Sequence, residues 1–250
     1  MSERIYIVGG SKGGVGKSMV SLSLVDYLLQ RDKKVLLVET DNSNPDVHKA
    51  LQGVVESQII DLDEASGWVS LVNVCDQKKG HVVVVNTAAR NNRGVSKFGA
   101  TLNDTLAELG RELMTLWVIN RQRDSLELLA DYQMAIQSTK LNVLMNGYFG
   151  DEAKFELYNS SKIKAAIEND LKGKSRLFPE LADRVADDLY SKRLSIEAAS
   201  KEMPIGNRAE LGRWRRLVAA LFDDLLSEPE TVKARSARPK PKASEASAES

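Results

Sequence analysis

The chain has 250 residues, 42% hydrophobic and 28% charged, enough apolar material for one α/β domain with a sizeable core or a domain plus an appendage. Its 35 Lys and Arg cancel its 35 Asp and Glu, so no global field draws it to nucleic acid or anionic lipid, and any such contact has to come from a local patch. The single cysteine, Cys75, excludes an internal disulfide and fits a reducing compartment; with no basic-then-apolar leader and no apolar run approaching about 18 residues, the expected location is cytoplasmic, with no membrane anchor.

In chain order, Ile5-Tyr6-Ile7-Val8 has the pattern of a buried strand and feeds directly into a glycine-rich stretch, Gly9 to Ser18. A helix is expected over 18–31, where Val20, Leu22, Leu24, Val25, Leu28 and Leu29 leave few polar sides. Val35-Leu36-Leu37-Val38 reads as a buried parallel strand, and the run from Glu39 to Asp46 after it is polar and loop-like. A short strand is expected over 58–62, a helix over 65–77, and a strand over 81–85 that ends in Asn86. The polar stretch 90–99 leads into a helix over 102–113, a strand over 116–119, a helix over 125–138 and a strand over 141–145. Beyond 150 the chain reads as mainly helical, with a short strand near 176–178. A helix over 207–226 carries Leu211, Trp214, Leu217, Val218, Leu221, Phe222 and Leu225 at a 3.6-residue period. Residues 227–250 turn to Pro, Ala, Ser, Lys and Glu without apolar periodicity, the composition of a disordered tail.

Strands alternating with helices imply right-handed crossovers and a parallel sheet covered on both faces. Ligands of such sheets bind at the carboxyl ends of the strands, where the polar clusters above fall. The stretch Gly9-Gly10-Ser11-Lys12-Gly13-Gly14-Val15-Gly16-Lys17-Ser18, placed between a strand and a helix, has the layout of a phosphate-binding loop. Glycines let backbone N–H groups point at phosphate with no Cβ in the way. Lys17 is expected against the β and γ phosphates of ATP, and the Ser18 hydroxyl on Mg²⁺. The pattern G-x-x-x-x-G-K-[ST] fails at Ser11, whereas K-G-G-x-G-K-[ST] is matched throughout by Lys12 to Ser18.

That variant resembles the deviant Walker A motif of the ParA/MinD family of ATPases, which position and segregate plasmids, chromosomes and cell-division or secretion machinery. The resemblance is specific over 1–48, holds as a pattern of elements to about 150, and is weak beyond. It implies a P-loop NTPase-like parallel sheet flanked by helices, with residues 1–226 as the nucleotide-binding domain and a helix-rich extension from about 150. It also implies a homodimer that sandwiches two ATP molecules, Lys12 of each chain reaching the other's triphosphate. Ser11, Lys12, Gly13, Gly14, Val15, Gly16, Lys17, Ser18 and Met19 are the expected nucleotide-binding residues, and Lys12, Lys17 and Asp41 the expected catalytic ones. With one cysteine, the cluster-bridging and C-x-x-C branches of the family do not apply.

The strand end Glu39-Thr40-Asp41 carries acidic residues where the family positions attacking water and the Mg²⁺ shell. Asp41 matches the second of them and is expected as a metal residue with Ser18, while Glu39 stands where an aspartate is usual. The bland alternative is that Asp41 and Asp46 cap the next helix. Asn86 stands where the family has the Walker B aspartate. An amide there weakens a bound divalent ion by ~1–3 kcal/mol, which points to slow or partner-stimulated hydrolysis. Asn146, before Gly147, falls where the family often contacts adenine, with a plain Asn-Gly turn as the alternative.

Arg121 and Arg123 either approach nucleotide or partner or are solvated. Arg208, Arg213, Arg215 and Arg216 sit on a helix whose stripe reads first as core, then as a DNA or partner contact, and least as a membrane surface. The leading expectation is a weakly hydrolysing ATP-driven switch in plasmid partition, positioning or transfer, with DNA or a DNA-bound adaptor as partner. An ATP-sensing scaffold without useful hydrolysis and an ATP-dependent ligase or synthetase are the alternatives.

Overall fold

A computed structural model describes residues 3–10, 12–89, 92–136 and 140–226. The expected tail, 227–250, lies outside them, as does Ser11. The strands are β1 (Glu3–Gly10), β2 (Val35–Glu39), β3 (Glu56–Ile59), β4 (Val82–Asn86), β5 (Arg111–Ile119), β6 (Lys140–Asn146) and β7 (Ser175–Phe178). They form one seven-stranded sheet in the order β3-β2-β4-β1-β5-β6-β7, with every pairing parallel. Unbroken apolar runs are what a strand covered on both faces requires, and side chains then alternate between two cores. Tyr6, Val8, Leu37 and Val84 enter one core. Ile5, Ile7, Leu36, Val38, Val83 and Val85 enter the other.

The helices are α1 (Lys17–Leu29), α2 (Asp46–Ala50), α3 (Ala65–Gln77), α4 (Asn92–Phe98), α5 (Ala100–Asn103), α6 (Leu106–Leu109), α7 (Arg123–Ala135), α8 (Glu156–Asn159), α9 (Lys162–Ala165), α10 (Asp183–Ser191), α11 (Ile196–Glu202) and α12 (Ile205–Leu226). The first core joins α1 to the C-terminal helices through Val20, Leu24, Leu28, Leu189, Leu211, Trp214 and Phe222. The second gathers Trp68, Leu71 and Cys75 of α3 with Leu129 and Tyr132 of α7, and with Phe155 and Tyr158. No helix among the described residues is long and apolar enough to cross a membrane.

Expected and observed elements part company around 90–119. The expected helix over 102–113 is replaced by α5, α6 and an early start to β5 at Arg111. Gly110, at φ 63°, stops the helical path in the left-handed region. Arg111 then buries its guanidinium against the Cys75, Lys78 and His81 carbonyl oxygens and the Glu3 carboxylate, a set of long-range acceptors that local pattern does not reveal. The polar stretch 90–99 holds α4. The short strand lies at Glu56–Ile59 rather than 58–62, and α7 spans Arg123–Ala135.

The C-terminal helix keeps most of its expected stripe, with Leu211, Trp214, Val218, Phe222 and Leu225 buried, but Leu217 is 46% exposed. Its arginines are partly spoken for. Arg215 grips Asp26 of α1 with Nε and Nη2 at 2.8 and 2.6 Å, and Arg213 pairs with Glu210. The last carbonyl oxygens of a helix lack intrahelical donors and carry partial negative charge. In α12 those of Asp224, Leu225 and Leu226 accept from Lys174 Nζ (2.8 Å), Lys140 Nζ (3.0 Å) and Arg4 Nη1 (3.1 Å), all at the amino-terminal edge of the sheet.

Candidate nucleotide site

The loop between β1 and α1 lies at the carboxyl edge of the sheet. Gly14 (φ 76°) and Gly16 (φ 106°) hold backbone conformations that L side chains rarely adopt, and they shape the loop so that α1 begins uncapped. With no side-chain cap, the first-turn N–H groups are left for a ligand. A Cβ on Gly16 would meet Asn146 Nδ2 at 2.4 Å. Asn146 donates from that nitrogen to the Val15 carbonyl oxygen at 2.8 Å, and its Oδ1 accepts from Tyr148 N at 3.1 Å. It braces the loop against the end of β6. The side chains of Val15 and Met19 are buried in the first core, so what they offer a phosphate is backbone.

Lys17 is 7% exposed, and its ammonium donates to the Lys12 carbonyl oxygen at 2.8 Å. Burial lowers its pKa to about 8, with the Asp41 carboxylate pulling the other way. The Lys12 side chain is half-exposed and is paired with the carboxylate of Asp124, in the first turn of α7.

Asp41 spends Oδ1 on the backbone N–H groups of Ser43 and Asn44, at 3.1 and 3.0 Å. That is a local turn rather than a cap on α2, which starts from Pro45 without a side-chain cap. A cavity of about 450 Å³ brings Gly13, Gly14, Lys17, Ser18, Asp41 and Asn86 together. A neighbouring one of about 490 Å³ is lined by Met19, Asn146, Tyr148, Phe178, Pro179 and Trp214. Gly14, Gly16 and Tyr190 line both, so the two adjoin. Trp214 donates its indole N–H to the Pro179 carbonyl oxygen at 2.8 Å. Arg121 lines a different cavity, with Gln122, Phe149 and Lys154, and Arg123 is exposed on α7.

Sequence reading missed a buried polar network behind the first cavity. Glu39 and Asn86 are register partners across β2 and β4, and both are buried. Asn86 Nδ2 donates to Glu39 Oε1 and Oε2 at 2.9 and 3.1 Å, and Ser21 Oγ donates to Asn86 Oδ1 at 2.8 Å. Glu39 Oε1 also accepts from the backbone N–H groups of Thr40 and Asp41, each at 3.1 Å. Burial raises the Glu39 pKa, and these donors oppose the rise. The available signal was positional: each residue is the last of its strand, and the two strands are neighbours.

A parallel sheet with a glycine-rich strand-to-helix loop at its carboxyl edge defines a P-loop nucleotide-binding protein. Residues 6–149 match the CobQ/CobB/MinD/ParA nucleotide binding domain, more than half of the chain, and the chain belongs to that family. It is similar to protein MobD of Acidithiobacillus ferrooxidans, 58% identical over 228 residues that span 91% of this chain and 100% of MobD. It is also similar to protein TraL of Escherichia coli, 32% identical over 90 residues, 34% of this chain and 37% of TraL. Among solved structures, the MinD cell division protein of Aquifex aeolicus aligns with a TM-score of 0.49 at 15% identity, covering 86% of this chain and 96% of that one.

Proposed function

We propose that the chain binds ATP with Mg²⁺ and works as a dimerising, slowly hydrolysing switch in plasmid mobilisation or transfer. The observation that carries this is the meeting of Lys17, Ser18 and Asp41 on one cavity at the uncapped start of α1. The residues fit the ligands. Open glycine backbone, uncapped N–H groups and a buried ammonium suit a triphosphate, and a hydroxyl with a carboxylate suits a hard divalent cation. Bound Mg²⁺ supplies charge neutralisation between phosphates. Lys17 binds the β and γ phosphates, Ser18 holds the cation, and Asp41 orients water near the γ-phosphate. The adjoining cavity takes the base, with Asn146 on its wall, and residues 12–19 wrap the phosphates.

Lys12 leaves Asp124 and crosses to the partner's nucleotide when two chains meet. Residues 1–226 act as one nucleotide-binding unit in the cytoplasm, since β7 extends the sheet and α12 packs on α1. The likeness to MobD and TraL supports DNA, or an adaptor bound to it, as the partner. Asn86 supports a second reading, an ATP-sensing scaffold without useful turnover, because the strand-end side chain facing the cavity is an amide.

The test joins light scattering behind size exclusion with phosphate release. ATP and Mg²⁺ are expected to convert monomer to dimer. Lys17→Ala should abolish ATP binding, Lys12→Ala should bind ATP yet stay monomeric, and Asp41→Ala should hold the dimer without releasing phosphate. A chain that binds ATP and stays monomeric, with Asp41→Ala included, ends the switch reading.

A further inference from the structure

The Glu39–Asn86–Ser21 network points to a role that position 86 alone does not suggest. We propose that Glu39 is a positioning residue that acts through Asn86: it orients the amide and charges its carbonyl oxygen as an acceptor for the shell of a cation bound in the 450 Å³ cavity. This rests on the Mg²⁺–nucleotide reading of that cavity.

The partners around Glu39 fix the orientation. Thr40 N, Asp41 N and Asn86 Nδ2 are all donors, so the carboxylate is received as an acceptor on both oxygens. A carboxylate at position 86 would face that of Glu39 at about the same separation, with no donor between them. An amide removes the conflict, because its N–H side turns to Glu39 and its Oδ1 is left on the other side, where Ser21 donates to it. Ser21 stands one turn beyond Lys17 on α1, so the same helix that starts at the glycine loop also holds this oxygen in place. Hydrogen bonds to a charged group are stronger than neutral ones and polarise the groups they join. The negative charge expected at the end of β4 is thus set across the register, on β2, and reaches the cavity through the amide. Asn86, 3% exposed, lines that cavity, while Glu39 is fully buried behind it.

Replacing Glu39 by glutamine changes the logic. The new side chain can set its own N–H donors against those of Asn86. Turning Asn86 over resolves that clash, and presents N–H where a cation's water needs an acceptor. The readout is the ratio of the ATP dissociation constants in EDTA and in Mg²⁺, measured by calorimetry and set beside the melting temperature of the ligand-free chain.

Outer-shell partners of metal ligands cost about 10–100-fold in metal affinity when removed. Glu39→Gln, acting one step further out through Asn86, is expected to cut the Mg²⁺-dependent gain by about tenfold, the low end of that range. Asn86→Asp alone should lower the melting temperature and also cut the gain. The chain combining Asn86→Asp with Glu39→Gln reverses the polarity of the pair, with the amide on β2 donating to the carboxylate on β4, and should recover both. Loss that simply adds in the combined chain would overturn the pairing, and so would a Glu39→Gln chain whose Mg²⁺ gain is unchanged. Wild-type chain that binds no ATP fails the nucleotide reading instead. The melting temperatures would then still decide whether residues 39 and 86 act as a pair.

Discussion

Gly16 shows how little room the loop leaves for error. Gly16→Ala would force a side chain into φ 106° and against Asn146 Nδ2 at 2.4 Å. Strain of this kind costs ~1–3 kcal/mol, and urea unfolding should show a loss in that range together with weakened nucleotide binding. The glycine and its lysine were legible in the sequence because phosphate loops are written in local residues. Asn146 was expected to contact adenine or to sit in a plain turn, and its grip on the Val15 carbonyl oxygen was not legible, since the two residues lie far apart in sequence. The Glu39–Asn86 contact was hidden for the same reason. A polar residue ending one strand finds its partner only when the sheet order is known.

Cys75 gives a pH test at the same scale. The thiol is buried in the second core, and burial pushes its pKa up to about 11, with Arg111 pulling the other way. In the unfolded chain a thiol ionises near ~8.5. A raised folded value means that the contribution is complete below that pH and is lost as pH climbs through about 11. The stability gap between wild type and Cys75→Ala should therefore narrow between pH ~8.5 and 10, as read by urea midpoints.

At the scale of elements, α12 packs on α1 and ties α10 and α11 to the sheet. Trp214 is fully buried and packs edge-on against Phe178, with ring centroids 5.9 Å apart. Trp214→Ala is expected to cost ~3–5 kcal/mol. Arg215→Ala would leave Asp26, whose side chain is 9% exposed, without its guanidinium partner. Breaking a buried pair from one side costs about 3 kcal/mol or more, so denaturant unfolding should rank both variants well below an Arg213→Ala chain, whose Arg213–Glu210 pair lies at the surface. The apolar strands and α12 could be read from periodicity. Helix α4 and the early start of β5 could not: charged residues such as Arg111 look like a helix surface until the acceptors that bury them are known.

For the whole molecule, the sheet sorts its edges by chemistry. Its carboxyl edge carries the glycine loop and the two adjoining cavities, while its amino edge carries the basic side chains that close α12. Raising salt should loosen the second edge more than the apolar cores, since attraction between a helix end and surface cations is screened. Hydrogen exchange at 221–226 is the measurement, with faster exchange expected in high salt.

The placement of Trp214 has a practical use as well. The other indoles, Trp68 and Trp117, belong to the opposite core, whereas Trp214, itself fully buried, backs the wall of the proposed base pocket. Unlabelled protein therefore carries its own optical gauge. Emission should shift as a purine fills the pocket that this ring backs, and a Trp214→Phe chain should stay silent under the same titration.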